Sequence, residues 1–129
     1  MKSLVADTNI FLRFILKDIP VQYDETKKLF NDVKRGELEL VVPQIVIFEV
    51  AFALTTFYRF SREKVMESLR SLIATHYFKI QDRDIFKGAI RIYLDHKISF
   101  VDSFLLAYAS EKNVGLFTFD KRLKKIKLK

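Results

Sequence analysis

Four of the sixteen carboxylates in this chain stand in apolar company. Asp7 ends the run LVA, Glu49 is the sole charge in PQIVIFEVAFAL, Asp102 sits in ISFVDSFLLAYA, and Asp120 follows LFTF. Most of the other acids lie among Lys, Arg or other polar residues, where water solvates them. Burying a bare charge costs several kcal/mol, so an acid in apolar surroundings is expected to be paired, protonated or bound to a metal. Two carboxylates about 5 Å apart repel by roughly 3 kcal/mol at an effective dielectric of about 20. Four brought together either raise some of their pKa values or share a hard divalent cation. All-oxygen donors suit Mg²⁺ or Mn²⁺ better than zinc, and the cation is the preferred reading.

Each acid also has a plainer reading. Asp7 suits the cap of a helix beginning at Thr8 or Asn9. Asp102 suits a capping box with Ser99, and Asp120 suits the cap of KRLKK. Glu49 has no evident helical partner: Ile45, Val46, Phe52 and Ala53 occupy the neighbouring positions of its face. The joint pattern is more specific than any of its members.

The elements that must position these acids follow from hydrophobic spacing. KSLVA reads as a short buried strand, followed by a helix over NIFLRFILKD that ends near Pro20. Residues 21–35 have helical spacing and stop at Gly36, a natural residue just past a helix end. ELELVV reads as a strand, and Pro43 suits the first turn of a helix running to about Phe60. Ser61, with Glu63 in the first turn, opens a helix to about Thr75, and HYFKIQ reads as a strand. Asp82 is placed to cap a helix over about 84–97, and Ser99 with Asp102 marks another helix start. VGLFTF reads as a strand, KRLKK as a short helix and IKLK as a last edge strand.

Strands separated by crossovers too long for hairpins imply a parallel sheet covered on both faces, in one α/β domain spanning residues 1–129. Asp7 and Asp120 then close two strands at their carboxyl ends, where open parallel sheets bind ligands. If the strands are neighbours, all four acids project into one pocket.

Composition removes several alternatives. The chain has no Cys, which excludes disulfides, thiolate nucleophiles and thiolate metal sites. Only His76 and His96 are present and HExxH is absent, which argues against a His-rich zinc site. No signal-peptide pattern and no apolar stretch of membrane-spanning length is found, so the cytoplasm is the expected compartment. A net charge of +7, with much of the excess in KRLKKIKLK, favours phosphate-rich partners or, more plainly, a solvated terminal face.

DTNIFLRFILKD, VPQIVIFEVAFAL, FVDSFLLAYA and LFTFDKRL, in that order, resemble the successive motifs of PIN-domain ribonucleases, and most of all the VapC-like toxins of type II toxin–antitoxin pairs. The resemblance runs from residue 4 to about 123. It implies a three-layer fold with a central, mostly parallel sheet of about 4–5 strands and helices on both faces. It matches Asp7, Glu49, Asp102 and Asp120 to the family's acidic quartet, as catalytic and metal-binding residues. Thr118 matches a supporting hydroxyl, and Thr8 and Asn9 fill the positions after the first acid. The implied activity is Mg²⁺- or Mn²⁺-dependent hydrolysis of RNA, leaving a 5′ phosphate and a 3′ hydroxyl. Asp7 and Asp102 would be the chief ligands.

Arg13, Lys121 and Arg122 lie near the motif ends and are candidates for gripping RNA phosphates. Phe52, Phe57, Tyr58 and Phe60 are more apolar surface than one helix face buries, which points to an exposed strip. The resembling toxins use that region to form a homodimer and to receive an antitoxin protein, so both partners are expected here. The rival readings are a non-catalytic RNA-binding or protein-interaction module, which leaves Glu49 unexplained, and a housekeeping RNA-processing PIN nuclease. A phosphoryl-transfer domain also places acids at strand ends, but this chain lacks DxD at its first strand.

Overall fold

The computed structural model describes residues 1–128. The chain divides into two compact units, one of residues Met1–Gln81 and one that begins at Asp82.

The first unit holds β1 (Lys2–Val5), α1 (Thr8–Leu16), α2 (Pro20–Lys34), β2 (Leu38–Val42), α3 (Gln44–Thr56), α4 (Arg62–Ala74) and β3 (Lys79–Ile80). The strands form a parallel sheet in the order β1-β2-β3. Leu4 is in register with Leu40, and Val42 with Ile80. Each crossover carries two helices, as parallel pairing requires. β2, flanked on both sides, buries Leu40 and Val42 completely. Helix α3 supplies Ile47, Val50 and Leu54 to the same core, and α4 adds Val65, Met66, Leu69 and Ile73. Phe11, Phe30 and Phe78 meet with ring centroids 4.8–5.9 Å apart, tying α1 to α2 and to the segment before β3.

The expected stops hold, with adjustments. Gly36 lies just past α2 with φ +78°, a conformation that favours glycine. Ser61 caps α4 by accepting a hydrogen bond from the Lys64 N–H. Pro20 begins α2, where its missing N–H costs nothing, and Pro43 is the cap residue of α3. Helix α3 ends at Thr56 rather than near Phe60, and the strand expected over HYFKIQ is confined to Lys79–Ile80.

The second unit holds α5 (Arg83–Asp95), α6 (Phe100–Glu111) and α7 (Lys121–Lys125). Helices α5 and α6 pack closely at Gly88 and Ala107, where a Cβ added to the glycine would sit 3.4 Å from the Ala107 Cβ, about van der Waals contact. Phe86 and Phe104 fill the adjoining layer, with centroids 4.9 Å apart. Asp82 occupies the cap position of α5 with φ +59°, but its side chain makes no capping bond.

Two expected strands differ. Val114–Phe119 has no ladder partner among the described residues, and Phe117 and Phe119 are exposed. The described elements of this unit are all helices, so an extended run has no strand within it to pair with. Residues 126–128 of the expected edge strand IKLK have no regular structure, and Lys129 lies outside the described residues. The α/β class with a parallel sheet therefore stands, with three strands among the described residues rather than 4–5. No described helix is long and apolar enough to cross a membrane.

Candidate active site

In the first unit, Asp7 follows β1 by two residues and takes the cap position of α1, with extended backbone (φ −85°, ψ 151°). Its carboxylate makes no capping bond, so the plainer reading of Asp7 is fulfilled in position but not in bonding. The group is exposed and open to a ligand. Thr8, the first residue of α1, donates its Oγ1–H to Glu49 Oε2 at 3.2 Å. Residues 41 positions apart are thereby joined, and Glu49 is held to the residue next to Asp7. Asn9 is exposed beside them.

Glu49 differs from expectation in one respect, because apolar neighbours in sequence do not bury it. Val46, Ile47, Val50, Ala51, Ala53 and Leu54 turn toward the core, while Ile45, Glu49 and Phe52 share the opposite, exposed face. Helical periodicity separates them, since positions spaced by three and four residues lie on one side. Phe52 and Phe57, 61% and 70% exposed, touch edge to face at 5.9 Å. Together with Tyr58 they form the expected apolar strip, while Phe60 is half-buried.

Arg13 is not free in solvent. Its Nη1 pairs with Asp18 Oδ2 at 3.2 Å and its Nη2–H donates to the Tyr58 hydroxyl at 3.1 Å. The side chain is only 13% exposed, and the Nε atom is buried with no hydrogen-bond partner among the described residues.

In the second unit, Ser99 caps α6 by accepting from the Asp102 N–H at 3.0 Å. Half of the anticipated capping box is thus formed, while the half-buried Asp102 carboxylate has no hydrogen-bond partner among the described residues. Asp120 is more committed. Its Oδ1 accepts from the Arg122 N–H at 2.8 Å and the Leu123 N–H at 3.3 Å, which caps α7. Its Oδ2 lies 3.7 Å from the Arg122 guanidinium. The main-chain bond from Arg122 is the largest influence holding this carboxyl below its usual pKa. Thr118 accepts from the Asp120 N–H at 3.0 Å, fixing the approach to the cap. Lys121 is exposed, whereas Arg122 also donates to the Lys97 carbonyl at 3.4 Å.

Among the described residues, no three His, Asp or Glu side chains form a group able to hold a metal ion. The donors fit a hard cation in kind all the same. In the first unit Asp7 and Glu49 offer exposed carboxylate oxygens, in the second Asp102 offers a carboxylate with no hydrogen-bond partner among the described residues, and the sequence has no thiolate. Asp120 fits least, because its bonds to α7 already occupy it.

Sequence reasoning missed the partners of Arg13. Asp18 reads as the last residue of the expected helix NIFLRFILKD, whereas α1 stops at Leu16, and Tyr58 reads as one more aromatic of the strip; no local spacing links either to Arg13. It also missed a cavity of about 540 Å³ in the first unit, floored by Phe11, Phe14, Phe30 and Phe78 and edged by Lys17 and Lys64. These aromatics scan as ordinary core.

The PIN domain family matches residues 4–129, and the chain belongs to it. It is similar to the VapC ribonuclease of Aquifex aeolicus (strain VF5), with 23% identity over 128 residues, covering 97% of this chain and 93% of the relative.

Proposed function

We propose that this chain is a divalent-metal-dependent endoribonuclease of the VapC type, the toxin of a type II toxin–antitoxin pair, with residues 1–129 acting as one PIN domain. The observation that carries the reading is the bond from Thr8 to Glu49. In a PIN-family chain it fastens the second acidic motif to the first, beside Asp7. The similarity to a VapC ribonuclease along nearly the whole chain supports the substrate class.

Asp7 and Asp102 are the proposed chief ligands of Mg²⁺ or Mn²⁺. Glu49 serves as a third donor or orients the nucleophile, and Asp120 acts through water because its Oδ1 caps α7 and its Oδ2 faces Arg122. When bound, the cation supplies a lowered pKa for coordinated water and neutralises charge at the scissile phosphate. The chain's own part is positional. The Thr8 hydroxyl fixes the Glu49 carboxylate, as groups behind metal ligands commonly do, and Thr118 fixes the turn that presents Asp120. The net charge of +7 supports an RNA substrate, which puts the proposed place of work in the cytoplasm. Lys121 and Arg122 are proposed phosphate contacts.

The Asp7→Asn variant should lose Mg²⁺-dependent RNA cleavage by at least about a hundredfold while its circular dichroism spectrum stays that of the parent. Full activity in that variant refutes the assignment.

The exposed apolar face of α3 supports a homodimer with an antitoxin protein bound across it. Light scattering at micromolar concentration should give twice the 15.2 kDa chain mass, and a monomer alone overturns the dimer.

A further inference from the structure

Helix α1 is joined by polar contacts at two levels, to α3 and to the segment just past its end. At the start of α1, Thr8 bonds Glu49 at 3.2 Å. Five positions further on, Arg13 reaches Tyr58, nine positions beyond Glu49, while its other terminal nitrogen pairs with Asp18 in the α1–α2 connection. Two cross-links at separate levels fix both the axial register and the rotation of one helix on another, which a single hydrogen bond does not. A helix advances about 1.5 Å per residue, so a slip of even one residue separates a donor and acceptor now 3.2 Å apart. The Arg13 side chain is largely buried, and its Nε–H has no partner among the described residues. An arginine whose use was to meet solvent-borne phosphates would extend outward; this one lies along the helix pair with its terminal nitrogens engaged.

We propose that Arg13 is a positioning residue: through Tyr58 and Asp18 it locks α1 against the segment that directly follows α3, and so keeps Glu49 bonded to Thr8 beside Asp7. The catalytic part of this inference rests on the nuclease reading above; the mechanical part does not. Arg13→Met keeps the aliphatic packing and removes both polar links, and Tyr58→Phe removes one.

Two measurements test the lock. The first is a double-mutant cycle of Arg13→Met and Thr8→Val followed by thermal unfolding. If the two cross-links hold one register, the second substitution costs little once the first is made, and the losses in Tm are clearly less than additive. Additive losses overturn the lock, whether or not the chain cleaves RNA. The second is RNA cleavage across Mn²⁺ concentrations. Arg13→Met should lower kcat about tenfold and raise the half-saturating Mn²⁺ concentration, with Tyr58→Phe moving both less, as losses behind a metal ligand do. The KM for RNA and its salt dependence should stay at parent values. A raised KM with a shallower salt slope overturns the proposal in favour of a phosphate contact. A lower Tm with kcat and Mn²⁺ dependence unchanged overturns it in favour of simple structural support. If the parent chain neither cleaves RNA nor responds to Mn²⁺, the nuclease reading fails, and the double-mutant cycle still decides the lock.

Discussion

The two units each carry two of the four acids and treat them differently. In the first, Asp7 and Glu49 stand exposed, and among the described residues the only hydrogen bond to either carboxylate comes from Thr8, a side chain whose hydroxyl aims Glu49 without neutralising it. In the second, Asp120 is drawn into its own helix start and toward Arg122, while the Asp102 carboxylate has no hydrogen-bond partner among the described residues and its N–H goes to Ser99. Position at the end of a strand or the start of a helix does not decide what an acid can do. Its existing hydrogen bonds do, because each lone pair given to a main-chain N–H is withdrawn from a ligand.

That contrast ranks the acids of the second unit. Asp102→Asn should cost cleavage at least about a hundredfold, and Asp120→Asn, which keeps a capping acceptor, about tenfold or less. Equal losses would erase the distinction between a free and a committed carboxylate.

A smaller effect sharpens the same point. The capping bonds hold the Asp120 pKa below its unfolded value, so the charged form stabilises the fold above the ordinary carboxylate range. This contribution is complete above about pH 4 and fades as pH falls through the lower, folded-state pKa. The Tm of the parent should therefore exceed that of Asp120→Asn at neutral pH, and the two should converge in acid. A gap that stays constant across that range would show that the charge of Asp120 contributes nothing through its cap.

Much of this was legible beforehand, for identifiable reasons. Gly36, Ser61 and Ser99 mark their helix boundaries through local backbone chemistry, which sequence carries directly. The alternation of strands and long crossovers is likewise sufficient for a parallel sheet. The surroundings of Glu49 misled because apolar density along a chain averages over both faces of a helix; only its rotation shows that Ile45, Glu49 and Phe52 stay outside. VGLFTF misled for a different reason. Strand propensity belongs to the segment, but a ladder needs a second segment, and residues 114–119 have none among those described. Arg13 was legible as a charge near a motif and illegible as a lock, since Asp18 and Tyr58 meet it only in three dimensions.

The run Val114–Phe119 has one further consequence. It is uncharged, free of proline and rich in β-forming residues, and it holds two bare phenyl rings in solvent. Such a segment is suited to zip onto identical copies of itself. Asp120, Lys121 and Arg122 follow it directly and Lys112 stands just before it, so stacking copies would crowd like charges together. Charge beside this uncharged segment opposes such stacking, so neutralising Asp120, Lys121 and Arg122 together should lower colloidal solubility along with any loss of function.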